Sequence, residues 1–319
     1  CITMSELDEL MARARDASWE RFGKRIAFYH PGMFRYEGKW GRYSAISITG
    51  GSCELQCDHC KASLLKPMLH ATTPEALVKT CQELEKKGDS GCLITGGSSK
   101  DGTLPWKDFI DAIRTVKETT DLHISIHGGM IDSDVAVRMK DAGIDQVLLD
   151  VVGDDETLKK VFRVEYGIEK IVETLDSLSK AGLPTVPHIV VGLNYGKISG
   201  EYDAIRMIER YNPEAVVVVS LMPLSGTPMC GVAPPAPEDI AAIIATARLS
   251  MPEVPISLGC ARDRSDSKID VLAVDCGVNK MAIPSEEAIK RARHYGLSIE
   301  WQDTCCSVPV NAEVKKGDD

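Results

Sequence analysis

Three closely spaced cysteines, Cys53, Cys57 and Cys60, constrain this chain more than any other feature of its sequence. They follow the apolar run at residues 45–49, so we expect them in the loop that leaves a buried strand. A structural zinc site is closed by four N or S ligands, and a [4Fe-4S] cube also has four iron corners. Three thiolates leave one corner open, which suits a catalytic cluster that binds a small molecule. A zinc knuckle that adds His59 to the three cysteines is the structural alternative.

Composition and charge narrow the class of protein. The 319 residues are 44% apolar and 26% charged, enough to bury one large core. A formal net charge of -10 argues against nucleic-acid and membrane partners held by basic residues. No apolar run reaches the roughly 18 residues of a membrane-spanning helix, and the start lacks a signal-peptide pattern. Eleven cysteines in such a chain favour metal ligation in a reducing compartment, so we expect a cytoplasmic protein.

Helices and strands alternate along most of the chain. Apolar residues at helical spacing predict a lead-in helix over residues 5–28. Eight strands separated by helices are then predicted at residues 44–49, 91–95, 122–126, 146–152, 186–191, 215–220, 254–258 and 280–283. Eight strand-helix units predict an α/β fold of the closed (β/α)8 TIM type with parallel strands. A doubly wound open sheet is the alternative.

We expect three regions along the chain. Residues 1–42 form an N-terminal helical and irregular extension, and residues 43–296 form the barrel. Residues 297–319 start with a short strand at 297–301, pass over the barrel mouth and end in a disordered polar tail from 312.

Functional groups of such a barrel lie at the carboxyl ends of its strands. Gly96-Gly97-Ser98 follows the second strand, where two glycines allow a ligand to approach the backbone closely, although such a pair alone is usually a turn. Ser125, His127 and Asp150 are polar residues on otherwise apolar strands. They either line the mouth or make satisfied hydrogen bonds in the core.

Three late cysteines are candidates for a second metal centre. Cys260 follows the seventh strand, and Cys305 and Cys306 follow the last short strand. They either bind a second iron-sulfur cluster or are buried thiols. Cys276, at a helix end, and Ser307 are candidate fourth ligands.

The spacing of Cys53, Cys57 and Cys60 resembles the signature of the radical S-adenosylmethionine (SAM) superfamily. In that superfamily the three cysteines hold a catalytic [4Fe-4S] cluster whose free iron binds SAM. An electron from the cluster splits SAM into methionine and a 5'-deoxyadenosyl radical, while the protein supplies placement and shielding. Many members have a six-strand partial barrel, which the count of eight strands disfavours here.

The resemblance also implies which residues contact SAM. Gly96-Gly97-Ser98 corresponds to a Gly-Gly-Glu segment whose backbone carbonyls bind the SAM amino group, and Ser98 lacks the carboxylate of that segment. His59 would face the adenine. The other implied SAM contacts are Ser125, His127, Asp150, Val191, Gly192, Leu193, Met222 and Pro223.

Over nearly the whole chain the sequence resembles the biotin synthase-like branch, most clearly at residues 257–262 and 276–281. Biotin synthase itself carries the cysteines of its auxiliary cluster on the second, third and fifth strands. This chain has Leu93, Ile124 and Val186 near those positions, which puts biotin formation in doubt.

Four stretches, residues 17–20, 60–62, 188–193 and 304–307, together resemble one component of the two-protein lipoyl synthase of archaea and some bacteria. That resemblance implies sulfur insertion into a protein-bound octanoyl-lysine chain, with a second [4Fe-4S] cluster as sulfur donor. The implied partners are a lipoyl carrier protein (octanoylated H protein or an acyltransferase lipoyl domain), the second synthase component, and a ferredoxin or flavodoxin-type electron donor.

Two alternatives remain at this point. Another biotin synthase-like enzyme, of mutase, methyltransferase or maturase type, would need one catalytic cluster and no late cysteines. A non-enzymatic iron-sulfur carrier would not need the Gly96-Gly97 pair.

Overall fold

The computed structural model describes residues 3–32, 35–36 and 38–310. The polar tail predicted from residue 312 lies outside these residues. In the described part of the chain, no helix is both long and apolar enough to cross a membrane.

The described residues form thirteen strands and ten α-helices. The strands are β1 (Arg25–Tyr29), β2 (Arg35–Tyr36), β3 (Lys39–Trp40), β4 (Tyr43–Ser47), β5 (Leu69–His70), β6 (Gly91–Thr95), β7 (His123–His127), β8 (Gln146–Asp150), β9 (Thr185–Val191), β10 (Val216–Ser220), β11 (Ile256–Leu258), β12 (Lys280–Ala282) and β13 (Ser298–Gln302). The helices are α1 (Met4–Phe22), α2 (Pro74–Lys86), α3 (Trp106–Thr119), α4 (Ser133–Asp141), α5 (Asp155–Thr157), α6 (Ile168–Lys180), α7 (Glu201–Ile208), α8 (Pro237–Ser250), α9 (Lys268–Asp275) and α10 (Glu286–His294). A π-helical turn, Leu158–Phe162, continues α5.

The strands form one curled parallel sheet. Its order is β5-β4-β6-β7-β8-β9-β10-β11-β12-β1-β13, with β2 and β3 in a separate antiparallel pair. The eight predicted strands are β4 and β6 to β12, in sequence order, so the predicted α/β class with parallel strands is confirmed. The described sheet is a curled half-barrel with β5 and β13 at its edges rather than a barrel closed by strand pairing. The Arg42 amide donates to the Asp303 carbonyl oxygen (2.6 Å), which joins the start of β4 to the chain just after β13.

Helix boundaries follow local signals where the sequence supplies them. The Thr73 hydroxyl accepts a hydrogen bond from the Ala76 amide (3.2 Å), and Pro74 occupies the first turn of α2, as predicted. The buried face of α2 carries Leu77, Cys81 and Leu84.

The N-terminal segment differs from the prediction of one helix over residues 5–28. Helix α1 ends at Phe22, where Gly23 takes a positive φ of 77° and its amide bonds the Trp19 carbonyl oxygen. Residues Arg25–Tyr29 instead form β1, a parallel strand between β12 and β13. A short run of buried apolar residues fits a strand as well as a helix. The helical spacing of apolar residues therefore led to the wrong prediction for β1.

Alternate side chains of the strands separate two cores. One set packs outward against the helices, for example Val147, Val216 and Val218. The other set points into the interior of the curled sheet, here called the lumen. It includes Leu148, Val186, Val217, Val219 and Ala282, which pack together with Cys306.

From the sequence we expected the segment after β13 to pass over the barrel mouth. In the structure it enters the lumen instead. Cys306 and Val308 are 2% and 1% exposed. The Val308 carbonyl oxygen accepts hydrogen bonds from the Tyr29 hydroxyl (2.9 Å) and the Lys280 ammonium (3.0 Å). Burying these apolar side chains while satisfying the carbonyl favours the inserted position.

Candidate active site

The three-cysteine loop leaves β4 and folds back on itself. The Cys60 and Lys61 amides both donate to the Cys57 carbonyl oxygen (3.2 and 2.9 Å), and Gln56 takes a positive φ of 46°. Cys57 is buried, whereas Cys53 and Cys60 are half-buried. The loop therefore brings the three thiols to one place at the carboxyl end of the first predicted strand.

One thiol of this loop, that of Cys60, favours the deprotonated state that binds iron, whereas the hydrogen bond to Cys60 and burial raise the pKa of Cys57. A hydrogen bond from the Cys57 thiol lowers the pKa of Cys60 to about 4, and His59, in contact with Cys60, acts in the same direction. Burial alone would lower the pKa of His59, but the Cys60 sulfur raises it above its ordinary value. The thiolate is the form of cysteine that ligates metals.

The donor set fits a cluster better than a single ion. Among the described residues, no group of three or more His, Cys, Asp or Glu side chains is arranged to hold one metal ion. A zinc knuckle needs four donors around one point, so the structure does not support that alternative. In a [4Fe-4S] cube each thiolate binds a different iron, and three cysteines leave the fourth iron free.

A buried carboxylate that the sequence analysis did not single out holds the loop in place. The Asp58 Oδ2 atom accepts from the Tyr195 hydroxyl (2.6 Å), while Oδ1 pairs with Arg163 (2.7 Å) and Lys61 (3.3 Å). The Asp58 amide donates to the Val161 carbonyl oxygen (2.9 Å). These contacts tie the cysteine loop to the π-helical turn and to the loop after β9. No spacing in the sequence signals them.

The predicted glycine pair packs directly against the cysteine loop. The Gly97 amide donates to Thr49 Oγ1 (2.6 Å), and the Ser98 carbonyl oxygen accepts from the Glu54 amide (2.9 Å) and the Cys53 thiol (3.8 Å). A Cβ at Gly97 would meet the Ser52 carbonyl oxygen and lie 2.5 Å from Cys53 Cβ. Glycine is required here because the two backbones touch.

We expect Gly97→Ala to disturb the cysteine loop specifically. The added methyl forces Ser52 and Cys53 to move, so cluster occupancy after anaerobic reconstitution should fall by half or more, measured as iron per chain and 420 nm absorbance. Gly51→Ala is the matched control, because a Cβ there meets nothing within 4 Å. Equal iron content in the two variants would contradict the close-contact role.

A cavity of about 100 Å³ adjoins the loop at the carboxyl ends of β6, β7 and β8. Its lining includes Gly96, Ser98, His127 and Asp150, four of the predicted SAM-contacting residues. Phe162 also lines it and packs against His59 in a tilted arrangement, with ring centroids 5.5 Å apart. The structure therefore brings these predicted residues together beside the cysteines.

Two histidines and a carboxylate form a polar group in the lumen. His127 Nε2 lies 3.4 Å from Asp150 Oδ1, and the ring of His188 meets that of His127 edge-on. Burial opposes ionisation of Asp150, yet His127 lowers the pKa of this carboxyl to about 2. Burial lowers the pKa of His127, but Asp150 outweighs it and raises the net value. Burial, reinforced by His127, lowers the pKa of His188 to about 4.

Other predicted SAM contacts are placed differently. Ser125 lies deeper in the lumen, where its hydroxyl shares hydrogen bonds with Tyr43 and Gln146. It is the satisfied core residue of the alternative interpretation. The remaining positions follow β9 and β10.

The remaining predicted SAM contacts lie at the end of β9 and after β10. The side chains of Val191 and Leu193 pack in the outer core, so contact with SAM at these positions would be through the backbone. Gly192 has a φ of 76° and its amide donates to Glu201 Oε1 (2.7 Å). Met222 and Pro223 are half-buried just beyond β10.

The late cysteines Cys260, Cys305 and Cys306 meet in the lumen. Hydrogen bonds from the Cys306 thiol and from Ser307 lower the pKa of Cys305 to about 6. Burial, with the Cys305 sulfur nearby, raises the pKa of Cys260 to about 11. Three neighbouring thiols, of which Cys306 is buried and the other two are half-buried, fit the donor set of a second iron-sulfur cluster.

Of the two candidate fourth ligands, only Ser307 lies with this group. It is buried and accepts a hydrogen bond from Gln146 Nε2 (3.0 Å). Cys276 lies in the outer core, where its thiol donates to the Ala241 carbonyl oxygen (3.4 Å). Ser257 was not singled out by the sequence analysis; its buried hydroxyl faces Cys306.

Two domain families match this chain. Residues 47–199 match the radical SAM superfamily, and residues 218–300 match the Biotin and Thiamin Synthesis associated domain. Biotin synthase of Prochlorococcus marinus is 22% identical over 275 residues, covering 81% of this chain and 82% of its own. Biotin synthase of Zymomonas mobilis is 24% identical, covering 86% and 83%.

The fold has solved counterparts. Methylornithine synthase (PylB) superposes with a TM-score of 0.65 at 20% identity, covering 94% of this chain and 90% of its own. This likeness concerns the curled parallel barrel alone. The two domain matches and the biotin synthase relatives together show that the chain is similar to biotin synthase-like proteins of the radical SAM superfamily.

Proposed function

We propose that this protein is a radical SAM sulfurtransferase, one component of a two-protein lipoyl synthase that thiolates a protein-bound octanoyl-lysine chain. The observation that carries the proposal is the meeting of Cys260, Cys305 and Cys306 in the lumen. Leu93 and Val186, near the positions where biotin synthase carries cluster cysteines, pack beside them as apolar residues. A second cluster would therefore be held by late cysteines.

The residues divide the work between two centres. Cys53, Cys57 and Cys60 would hold the first cluster, and Cys260, Cys305 and Cys306 the second, with Ser307 as the adjacent oxygen donor. Bound there, the first cluster would supply the electron that splits SAM into methionine and a hydrogen-abstracting 5'-deoxyadenosyl radical, and the second would supply sulfur.

The protein's own contribution is placement and exclusion of water. Gly96, Gly97 and Ser98 hold backbone groups beside the cysteine loop, where they would orient the SAM methionine moiety. Apolar lumen residues such as Val217 and Val219 would shield a carbon radical from solvent.

The proposed substrate and partners follow from this assignment. An open cleft of about 830 Å³ lies beside the cysteine loop and is lined mostly by charged residues, with Leu55 and Tyr166 as its apolar part. The octanoyl-lysine arm of a lipoyl carrier protein would enter here. The second synthase component would complete the two insertions, and a ferredoxin or flavodoxin would deliver electrons.

The proposal is tested with protein reconstituted anaerobically. We expect about eight irons per chain, from two [4Fe-4S] clusters. With SAM, a reductant, the second component and an octanoylated lipoyl domain, mass spectrometry should detect sulfur on the octanoyl chain and chromatography 5'-deoxyadenosine. About four irons and no sulfur transfer would refute the proposal in favour of a single-cluster enzyme. Conversion of dethiobiotin instead of the octanoyl chain would refute the substrate.

A further inference from the structure

A buried lysine lies beside the late cysteines. Lys280 is the first residue of β12 and is 3% exposed. Its ammonium donates to the Val308 carbonyl oxygen (3.0 Å), and the Val308 amide donates to the Cys305 carbonyl oxygen (3.0 Å). The lysine therefore caps the turn that carries Cys305 and Cys306. Across the sheet it is in register with Ser257, whose hydroxyl faces Cys306.

Among the residues that the structure describes, this lysine has no carboxylate partner at contact distance. In the described part of the chain, no Asp or Glu oxygen lies within 4.0 Å of the Lys280 ammonium nitrogen. Glu214, which acts on it from farther away, is exposed to solvent. The other titratable groups that act on it are the thiols of Cys305 and Cys306. A buried charge without a counter-charge is costly, and a backbone carbonyl offsets only part of that cost.

A bound cluster would remove the imbalance. A [4Fe-4S] cube with thiolate ligands is anionic overall and becomes more so when it takes up an electron. In a water-free interior, attraction between unlike charges is weakly screened. A fixed cation would thus stabilise the reduced state more than the oxidised one.

We propose that Lys280 is the counter-charge of the cluster held by Cys260, Cys305 and Cys306 and raises its reduction potential. The inference rests on the proposed second cluster. Lys280 acts through the cluster and its ligand segment, so it is a positioning residue rather than a catalytic one. Tyr29 offers a matched comparison, because its hydroxyl donates to the same Val308 oxygen (2.9 Å) but carries no charge.

The test uses the full chain with Cys53, Cys57 and Cys60 all replaced by Ala, so that the late cysteines hold the remaining iron. We expect about four irons per chain in this background. Redox titration followed by EPR then compares Lys280→Met, Lys280→Arg and Tyr29→Phe. Lys280→Met should lower the equilibrium constant for reduction of the cluster at least tenfold. For one electron this is a fall of about 59 mV in the reduction potential. For Lys280→Arg and Tyr29→Phe, this equilibrium constant should stay within threefold of its value in the background variant.

The outcomes separate the two proposals. A background variant without iron refutes the second cluster and, with it, this inference. If all variants hold the cluster but Lys280→Met leaves its reduction potential unchanged, or Tyr29→Phe shifts the potential equally, the charge role of Lys280 is refuted while the second cluster stands. If Lys280→Met loses its iron while Lys280→Arg and Tyr29→Phe keep theirs, the charge is required and the inference holds. Loss of iron from all three variants overturns it in favour of simple anchoring.

Discussion

Cys57→Ala should reduce SAM cleavage to background and lower the iron content from about eight to about four per chain. Cys57 is the buried member of the three-cysteine loop, and its carbonyl oxygen accepts the hydrogen bonds that fold the loop. With two remaining thiolates the first cluster loses its hold on one iron, and the thiol that lowers the pKa of Cys60 is gone. The readouts are iron, the 420 nm absorbance and 5'-deoxyadenosine formed from SAM.

Cys230→Ala is the control for this variant, because Cys230 is an exposed cysteine outside both groups of thiols. It should retain iron and SAM cleavage at the level of the unmodified protein. SAM cleavage by Cys57→Ala at more than a few per cent of that level would show that the loop does not hold the catalytic cluster. A thermal melt of the apo proteins separates cluster loss from misfolding.

Local features of the sequence predicted the barrel and the cysteine loop. The strands β4 and β6 to β12 are short apolar runs set between helices with readable ends, such as Thr73 and Pro74 at the start of α2. The strand β1 was assigned to a helix because residues 25–29 are a short apolar run that fits either structure. Its partners, β12 and β13, lie more than 250 residues away, so only the folded sheet reveals it.

Long-range contacts account for what the sequence did not predict in the site. Asp58 is held by Tyr195, 137 positions further on, and nothing near Asp58 announces that bond. Ser125 and His127 occupy the same strand face, yet the structure separates a deep core hydroxyl from a cavity-lining imidazole. Lysine at a strand start is ordinarily exposed; Lys280 is buried because the segment around Val308 fills the lumen above it.

The late cysteines were predicted as a group, but the sequence did not show which neighbour joins them. Cys276, which precedes a glycine at a helix end, and Ser307 were both candidates for the fourth ligand. In the structure Cys276 belongs to the outer core, on the helix side of the sheet, whereas Ser307 follows Cys306 into the lumen. The direction in which the side chain leaves the backbone decides which neighbour joins the late cysteines, and that of Cys276 points to α8, where its thiol bonds Ala241.

Replacing both Cys305 and Cys306 with Ala should abolish sulfur insertion while leaving SAM cleavage in place. The two thiols supply two of the three sulfur donors gathered in the lumen, so the iron content should fall from about eight to about four. The first cluster would be held by a separate loop, whose anchors Asp58 and Gly97 bond Tyr195 and Thr49 instead. We therefore expect 5'-deoxyadenosine to form from SAM without a thiolated octanoyl product.

Cys276→Ala is the matched control, because it also removes a fully buried thiol but from the outer core, where that thiol bonds only the Ala241 carbonyl oxygen. The cavity it leaves should lower stability without lowering iron or product. Product formation by the Cys305→Ala/Cys306→Ala variant would refute the late cysteines as the sulfur-donor site. Iron loss from Cys276→Ala instead would require a rearranged lumen in the loaded protein. The pair of variants thus separates sulfur donation from radical generation, two steps that one barrel would carry out at two groups of thiols.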